Sequence, residues 1–73
     1  MKYHFRLDLN SAEYLRFYKS QARHVLVQSN EGLTIRFPAE HLRTFVDHEG
    51  VHGIFELEST SDGKFVSLVK LAD

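Results

Sequence analysis

The stretch RFPAEHLRTFVDHEGVHGIF, residues 36–55, holds the clearest boundaries between structural elements in this chain. Pro38 has no amide proton for a strand ladder, and its fixed φ suits the first position of a helix. Beyond it, apolar residues recur at positions i, i+3 and i+4, which is typical of the buried face of a helix: Leu42, Phe45 and Val46. We therefore predict a short helix or helical turn over residues 38–46.

The same stretch contains His48-Glu49-Gly50-Val51-His52, which matches the H-E-x-x-H pattern of zinc peptidases. In that pattern a helix brings both imidazoles to one metal ion. Gly50 and Gly53 disfavour a helix here. In an extended chain, residues four apart lie ~13 Å from each other, which is too far to share one ion. We therefore predict a turn over residues 47–50 that leads into a strand, with no metal ligand and no cofactor.

Toward the N-terminus, residues 3–9 alternate between apolar and polar side chains, which is typical of a half-buried strand. Asn10 follows, with Glu13 three residues later, and this reciprocal capping pattern predicts the start of a helix. The helix should run from residue 11 to about residue 20. Its apolar residues occupy more than one narrow stripe, so we expect part of its aromatic surface to stay exposed.

Two hairpins complete the predicted fold. Residues 25–27 and 33–37 suit strands, and the turn sequence Ser29-Asn30-Glu31-Gly32 lies between them. Residues 51–58 and 64–71 flank a second turn that contains Asp62-Gly63. The predicted order is β-α-β-β-α-β-β and the predicted class is α+β, with one small domain over residues 1–73 and a small, largely antiparallel sheet.

Size and composition point to a folded, cytoplasmic domain. The chain has 73 residues, of which 42% are hydrophobic and 26% charged, and it contains no cysteine. A secreted domain this small is usually cross-linked by disulfides, so we expect a reducing cytoplasm. No apolar run approaches the ~20 residues of a membrane span. The first residues also lack the apolar region of a signal peptide, and we expect no membrane association.

A resemblance to one family rests on pieces that are spaced over nearly the whole chain. These pieces are Tyr3-His4-Phe5-Arg6-Leu7, Tyr14-Leu15-Arg16-Phe17-Tyr18, Ala22-Arg23, Arg36-Phe37-Pro38-Ala39, Leu42-Arg43, Phe45-Val46, His48-Glu49-Gly50-Val51, Gly53 and Lys64-Phe65-Val66-Ser67-Leu68. As a set they resemble a family of very short uncharacterised bacterial proteins, the domain-of-unknown-function 2835 family. The resemblance implies a stand-alone bacterial domain. It brings no activity, cofactor or catalytic residue to this chain.

Catalysis finds little support in the sequence. Without cysteine or a Gly-x-Ser-x-Gly elbow, no nucleophile is set beside a base. The four glycines are dispersed at predicted turns and match no phosphate-binding fingerprint. We also expect that a domain of this size does not enclose a pocket of several hundred Å³. We therefore predict that the protein is not an enzyme, and no small-molecule substrate is identified. A metal-dependent enzyme that acts through His48, Glu49 and His52 is the third and disfavoured alternative.

Binding of single-stranded RNA or DNA is the alternative function. Arginines lie near the aromatic residues of the first helix and on both sides of Pro38, and cations beside stacking rings are typical of single-strand recognition. The arginines in question are Arg16, Arg23, Arg36 and Arg43. The net charge of −1 argues against bulk attraction to nucleic acid.

Protein binding is the function that the sequence favours. A chain with six Phe and three Tyr can hardly bury them all, and Tyr and Arg are enriched at interface hot spots. The final hairpin has apolar residues on both faces, so it offers an edge or a face to a protein partner or a homodimer. The candidate surface residues are Tyr14, Arg16, Phe17, Tyr18, Arg23, Arg36, Arg43, Phe65, Val69 and Leu71. We therefore predict a small, non-enzymatic binding or adaptor module.

Overall fold

The computed structural model of the chain describes residues 1–19 and 23–73, and for residues 18 and 19 it describes the backbone only. The elements in chain order are β1 (Lys2–Leu9), α1 (Ser11–Lys19), β2 (His24–Gln28), β3 (Thr34–Pro38), a 3₁₀ helix (Ala39–Phe45), β4 (Val51–Ser59) and β5 (Phe65–Ala72). The predicted α+β class and the predicted order of elements are confirmed. The predicted end of α1 near residue 20 lies outside the described residues.

The strands form two antiparallel sheets where one sheet was predicted. The larger sheet has the order β1-β4-β5, and the smaller sheet is the β2-β3 hairpin. In the larger sheet Phe5 pairs with Phe55 and Asp8 pairs with His52, so the first strand lies beside the fourth. Because side chains alternate along a strand, this register places Phe5 and Phe55 on one face of the sheet and the polar pair on the other.

The start of α1 is fixed by the predicted capping box. The Asn10 side-chain oxygen accepts a hydrogen bond from the Glu13 amide at 2.8 Å, and the Asn10 amide donates to Glu13 Oε1 at 3.0 Å. These two bonds satisfy amide donors that have no partner within a helix. The boundary between β1 and α1 therefore follows from local sequence alone.

The predicted helix after Pro38 is a 3₁₀ helix, and Pro38 itself is the last residue of β3. A 3₁₀ helix has three residues per turn, so residues at i, i+3 and i+6 lie on the same side. Ala39 and Leu42 are buried and Phe45 packs against the core, in agreement with that period. The three-residue spacing therefore places Ala39, Leu42 and Phe45 on the side of the helix that faces the core.

The core is a cluster of aromatic rings between the two sheets and the helices. Phe5, Phe37 and Phe55 are almost completely buried. The Phe5 ring lies 5.8 Å from the Phe37 and Phe55 rings, and Phe45 meets Phe55 edge-on at 5.2 Å. Tyr14 is only 9% exposed and belongs to the same core. The expectation that Tyr14 would be exposed is therefore wrong, because α1 packs this ring against the core.

Candidate functional site

A partly enclosed pocket lies where α1, the start of β2 and the 3₁₀ helix meet. Its volume is about 410 Å³, and it is partly open to solvent, so it is a recess of the surface and not an enclosed chamber. The residues that line the pocket are Tyr14, Phe17, Arg23, His24, Pro38, Ala39, Glu40 and Arg43. This pocket is the candidate binding site, because it brings together candidate residues that lie far apart in the sequence.

Each side of the pocket is positioned by regular structure. Tyr14 and Phe17 are three residues apart in α1, so both face the same way. The carbonyl of Arg23 accepts a hydrogen bond from the Ala39 amide at 2.8 Å, which joins the start of β2 to the start of the 3₁₀ helix. Glu40 and Arg43 are also three residues apart, so one side of the 3₁₀ helix presents both.

Four of the predicted surface residues, Tyr14, Phe17, Arg23 and Arg43, line this pocket. The other four lining residues were not among the predicted surface residues: His24, Pro38, Ala39 and Glu40. A local signal was present for Glu40, since it precedes Arg43 by one turn of the 3₁₀ helix. His24 and Pro38 face each other in the β2-β3 ladder. Neither the sequence around His24 nor the sequence around Pro38 indicates this pairing by itself.

Two further candidates, Arg16 and Arg36, are not part of the pocket lining. Arg16 is exposed and is two residues from Tyr14, so it lies on another side of α1. Arg36 is exposed and pairs with Leu26 on the outer face of the β2-β3 hairpin, two residue pairs along the ladder from His24–Pro38. The Tyr18 side chain lies outside the described part of the structure.

The three candidates on β5 do not share one surface. Phe65 is half-buried, pairs with the buried Ser59, and stacks on the His41 ring at 3.7 Å. Val69 pairs with Glu56 on the opposite face of the sheet and is 44% exposed. Leu71 is also exposed and lies at one of two register irregularities between β4 and β5. Such irregularities disturb an edge that another strand would have to match.

The H-E-x-x-H stretch forms the predicted turn that leads into β4. His48 and Glu49 are exposed in the turn, whereas His52 is in the strand. His52 Nδ1 lies 3.1 Å from Asp8 Oδ1, and its Nε2 lies 2.9 Å from the Glu49 carbonyl oxygen. Both of these oxygens accept hydrogen bonds when Asp8 is ionised, so the two contacts favour the doubly protonated form of the ring. In the described residues no group of three or more His, Asp or Glu side chains is placed to hold a metal ion.

His4 has the same arrangement on the other end of the sheet. Its two ring nitrogens each lie 2.9 Å from a carboxylate oxygen, one of Glu31 and one of Glu56. The His4 amide also donates to Glu31 at 3.0 Å. The His4 ring therefore links the turn of the β2-β3 hairpin to the outer face of β4, and its two carboxylate neighbours favour its protonated form.

These contacts shift the pKa values of the groups involved. Hydrogen bonds to Glu31 and then to Glu56 raise the pKa of His4, and bonds to the Glu49 carbonyl and then to Asp8 raise the pKa of His52. The His4 backbone amide, followed by its ring, lowers the pKa of Glu31 to about 2. The perturbed histidines are thus tied to specific ion pairs of the sheet.

The pH dependence of stability follows from these directions. Raised histidine pKa values stabilise the fold fully below the unfolded value of 6.5, and this contribution is lost as pH rises through the folded values. The lowered Glu31 pKa stabilises the fold above 4.5, and this contribution is lost as pH falls toward about 2. We therefore expect the melting temperature to be highest between pH 4.5 and 6.5 and to fall on both sides.

Circular dichroism melts at about pH 3, about pH 5.5 and about pH 8.5 test this expectation. In the double variant His4→Gln and His52→Gln, the decline on the basic side should shrink. The matched control is His48→Gln, because the His48 side chain is 88% exposed and its closest carboxylate oxygen lies 3.6 Å away. An unchanged basic decline in the double variant would contradict the assignment to these two rings.

Comparison with known proteins agrees with the sequence resemblance. The model of the family described as Protein of unknown function (DUF2835) matches residues 1–71. No curated protein and no solved structure matches the chain. Among the described residues, no helix has the length and apolar character needed to cross a membrane. Because the family match spans almost the entire sequence, the chain belongs to the domain-of-unknown-function 2835 family.

Proposed function

We propose that this protein is a small cytoplasmic binding module of a bacterium, and that it binds a protein partner through the pocket between α1 and the 3₁₀ helix. The observation that carries the proposal is the convergence of Tyr14, Phe17, Arg23 and Arg43 on one pocket of about 410 Å³. Aromatic and arginine side chains are the types that dominate binding energy at protein interfaces. A side chain of the partner that enters this partly enclosed pocket would lose its contact with water.

The burial of the aromatic residues favours a protein ligand over a single-stranded nucleic acid. Base stacking needs an exposed ring face, but Tyr14 is 9% exposed and part of the core. Phe17 is half-buried against the same core. The acidic Glu40 also lines the pocket, and the net charge of the chain is −1. The burial of the two rings disfavours base stacking, and the two negative contributions weaken attraction to a phosphate backbone.

The positions of the perturbed groups favour binding over catalysis. Strongly shifted pKa values tend to cluster at catalytic sites. Here the described groups with a shifted pKa are all outside the pocket lining: His4, Asp8, Glu31, His52 and Asp73. Their shifts arise from ion pairs and hydrogen bonds on the sheet and at its edges, so these groups have a structural explanation.

Affinity capture tests the proposal. The immobilised chain is incubated with a native bacterial lysate, with and without nuclease, and the eluate is analysed by mass spectrometry and nucleic-acid sequencing. We expect proteins that survive nuclease treatment and that are retained at least about tenfold less by the double variant Arg23→Ala and Arg43→Ala. The matched control is Arg16→Ala, which removes an exposed arginine of α1 outside the pocket lining.

The possible results separate the proposal from its alternatives. Capture that disappears with nuclease indicates a nucleic-acid ligand and contradicts the protein proposal. Equal capture by the pocket variant and the Arg16→Ala control shows that binding occurs elsewhere on the molecule, for example at β5. Retention of this chain itself, in place of other proteins, indicates a homodimer.

A further inference from the structure

The charges of this chain are divided unevenly between its two halves. Residues 11–45 contain five of the nine Lys and Arg but only three of the ten Asp and Glu. This segment forms α1, the β2-β3 hairpin and the 3₁₀ helix, whereas the residues on either side of it form the acidic three-stranded sheet. A chain that is close to neutral overall therefore has a basic segment, here called its basic side, and the described residues that line the pocket all belong to it.

The pocket has an apolar interior and a charged rim. The apolar lining residues are buried or half-buried: Tyr14, Phe17, Pro38 and Ala39. The polar lining residues are all exposed: Arg23, His24, Glu40 and Arg43. An apolar side chain of a ligand would therefore be desolvated inside, while a neighbouring charged group would meet the rim.

The rim favours an anion. Among the described lining residues, the guanidinium groups of Arg23 and Arg43 outnumber the one carboxylate, that of Glu40. Arg23 makes no ion pair with any described residue, so its guanidinium has no carboxylate to release before it binds a ligand. Its backbone is fixed by the hydrogen bond from the Ala39 amide. An anchored arginine is well suited to a carboxylate, because the planar guanidinium can donate two parallel hydrogen bonds.

We infer that the pocket recognises an acidic peptide segment of the partner, in which an apolar side chain enters the interior and an adjacent Asp or Glu pairs with Arg23 at the rim. This inference rests on the proposed function and specifies its ligand. Glu40 on the same rim repels a second carboxylate placed near it and so restricts the orientation of the segment. The acidic partner would be attracted by the basic side of the molecule before contact.

A selection from a phage library of random short peptides tests the inference. Peptides are selected on the wild-type chain and counter-selected on Arg23→Glu, and the enriched peptides are synthesised and titrated by NMR. We expect Asp or Glu beside an apolar residue in the enriched set. Changing that acid to its amide, or Arg23 to Glu, should weaken binding at least about tenfold, whereas the matched control Arg16→Glu should change it less than about twofold.

The titrations also distinguish this inference from the proposal on which it rests. Peptides that shift the pocket resonances but bind equally well as amides overturn the acidic ligand and leave the binding module intact. A selection that yields no peptide dependent on the pocket counts against both. Tighter binding of poly-uridine RNA than of any peptide, or self-association seen by light scattering and abolished by Arg23→Glu, would assign the pocket to another ligand. Thermal melts of Arg23→Glu confirm that the exposed substitution leaves the fold intact.

Discussion

Replacement of Phe55 by alanine is expected to lower the free energy of unfolding by about 3–5 kcal/mol. Phe55 has no exposed surface and lies between the rings of Phe5, at 5.8 Å, and Phe45, at 5.2 Å. Its removal deletes the ring that joins the sheet to the 3₁₀ helix and leaves a cavity that the surrounding strands cannot fill. A domain of this size has a total stability of only about 5–15 kcal/mol, so the loss is a large fraction of it.

Urea denaturation followed by circular dichroism measures the effect. The transition midpoint should fall with little change in slope, and the melting temperature should fall by at least about 12 °C, since about 1 kcal/mol corresponds to about 4–8 °C in a domain of this size. The matched control is Leu26→Ala, because Leu26 is 66% exposed on the outer face of its hairpin. That change should cost less than about 0.5 kcal/mol. Similar losses in both variants would contradict the ring cluster as the core.

The local elements of this fold could be predicted because their signals are short in sequence. Asn10 and Glu13 are three residues apart, and their side chains make the predicted reciprocal bonds. The predicted turns contain Gly32 and Gly63, which have φ values of +83° and +88°. A positive φ is accessible to glycine at little cost, so a glycine among polar residues indicates a turn in the sequence. Alternation then shows which strand residues share a face.

The pairing of the strands could not be predicted in the same way. Alternation marks Phe5 as inward-facing but is blurred where Ile54 precedes Phe55, and it does not show that Phe5 and Phe55 are partners across fifty residues of sequence. The division into two sheets likewise depends on how the hairpin packs on β1. The Asn30 amide donates to the His4 carbonyl at 2.7 Å, and no pattern within either segment indicates this contact. Long-range register depends on the packing of the whole core.

The candidate site shows the same division between residue type and position. The sequence indicated arginine and aromatic residues as binding groups, and four of them line the pocket. It could not show that Tyr14 belongs to the core, because the stripe of α1 that faces inward depends on where the hairpin lies. It also could not separate Phe65 from Val69, which a register irregularity and opposite faces of the sheet place apart. The chemical type of a binding residue can be read from the sequence, whereas its position in the pocket depends on the whole fold.

Replacement of Gly50 by alanine is expected to destabilise the protein by about 3 kcal/mol or more. Gly50 has a φ of +107°, which an L-amino acid with a side chain rarely adopts. A Cβ atom at this position would collide with the Leu9 carbonyl oxygen and would lie 2.7 Å from the Asn10 carbonyl carbon. These atoms belong to the backbone between β1 and α1, so no side-chain rotation can relieve the overlap. The variant must displace the capped start of the helix or the end of β1.

The control for Gly50→Ala is Gly63→Ala, which separates backbone strain from steric overlap. Gly63 has a φ of +88°, but a Cβ atom there would have no neighbour within 4 Å. Its replacement should therefore cost only about 1–2 kcal/mol, the penalty for a left-handed backbone conformation. Urea denaturation of both variants gives the difference directly. Equal losses would show that Gly50 does not pack against the Leu9–Asn10 backbone. A larger loss for Gly50→Ala shows that the glycine within the zinc-like motif is required by the fold.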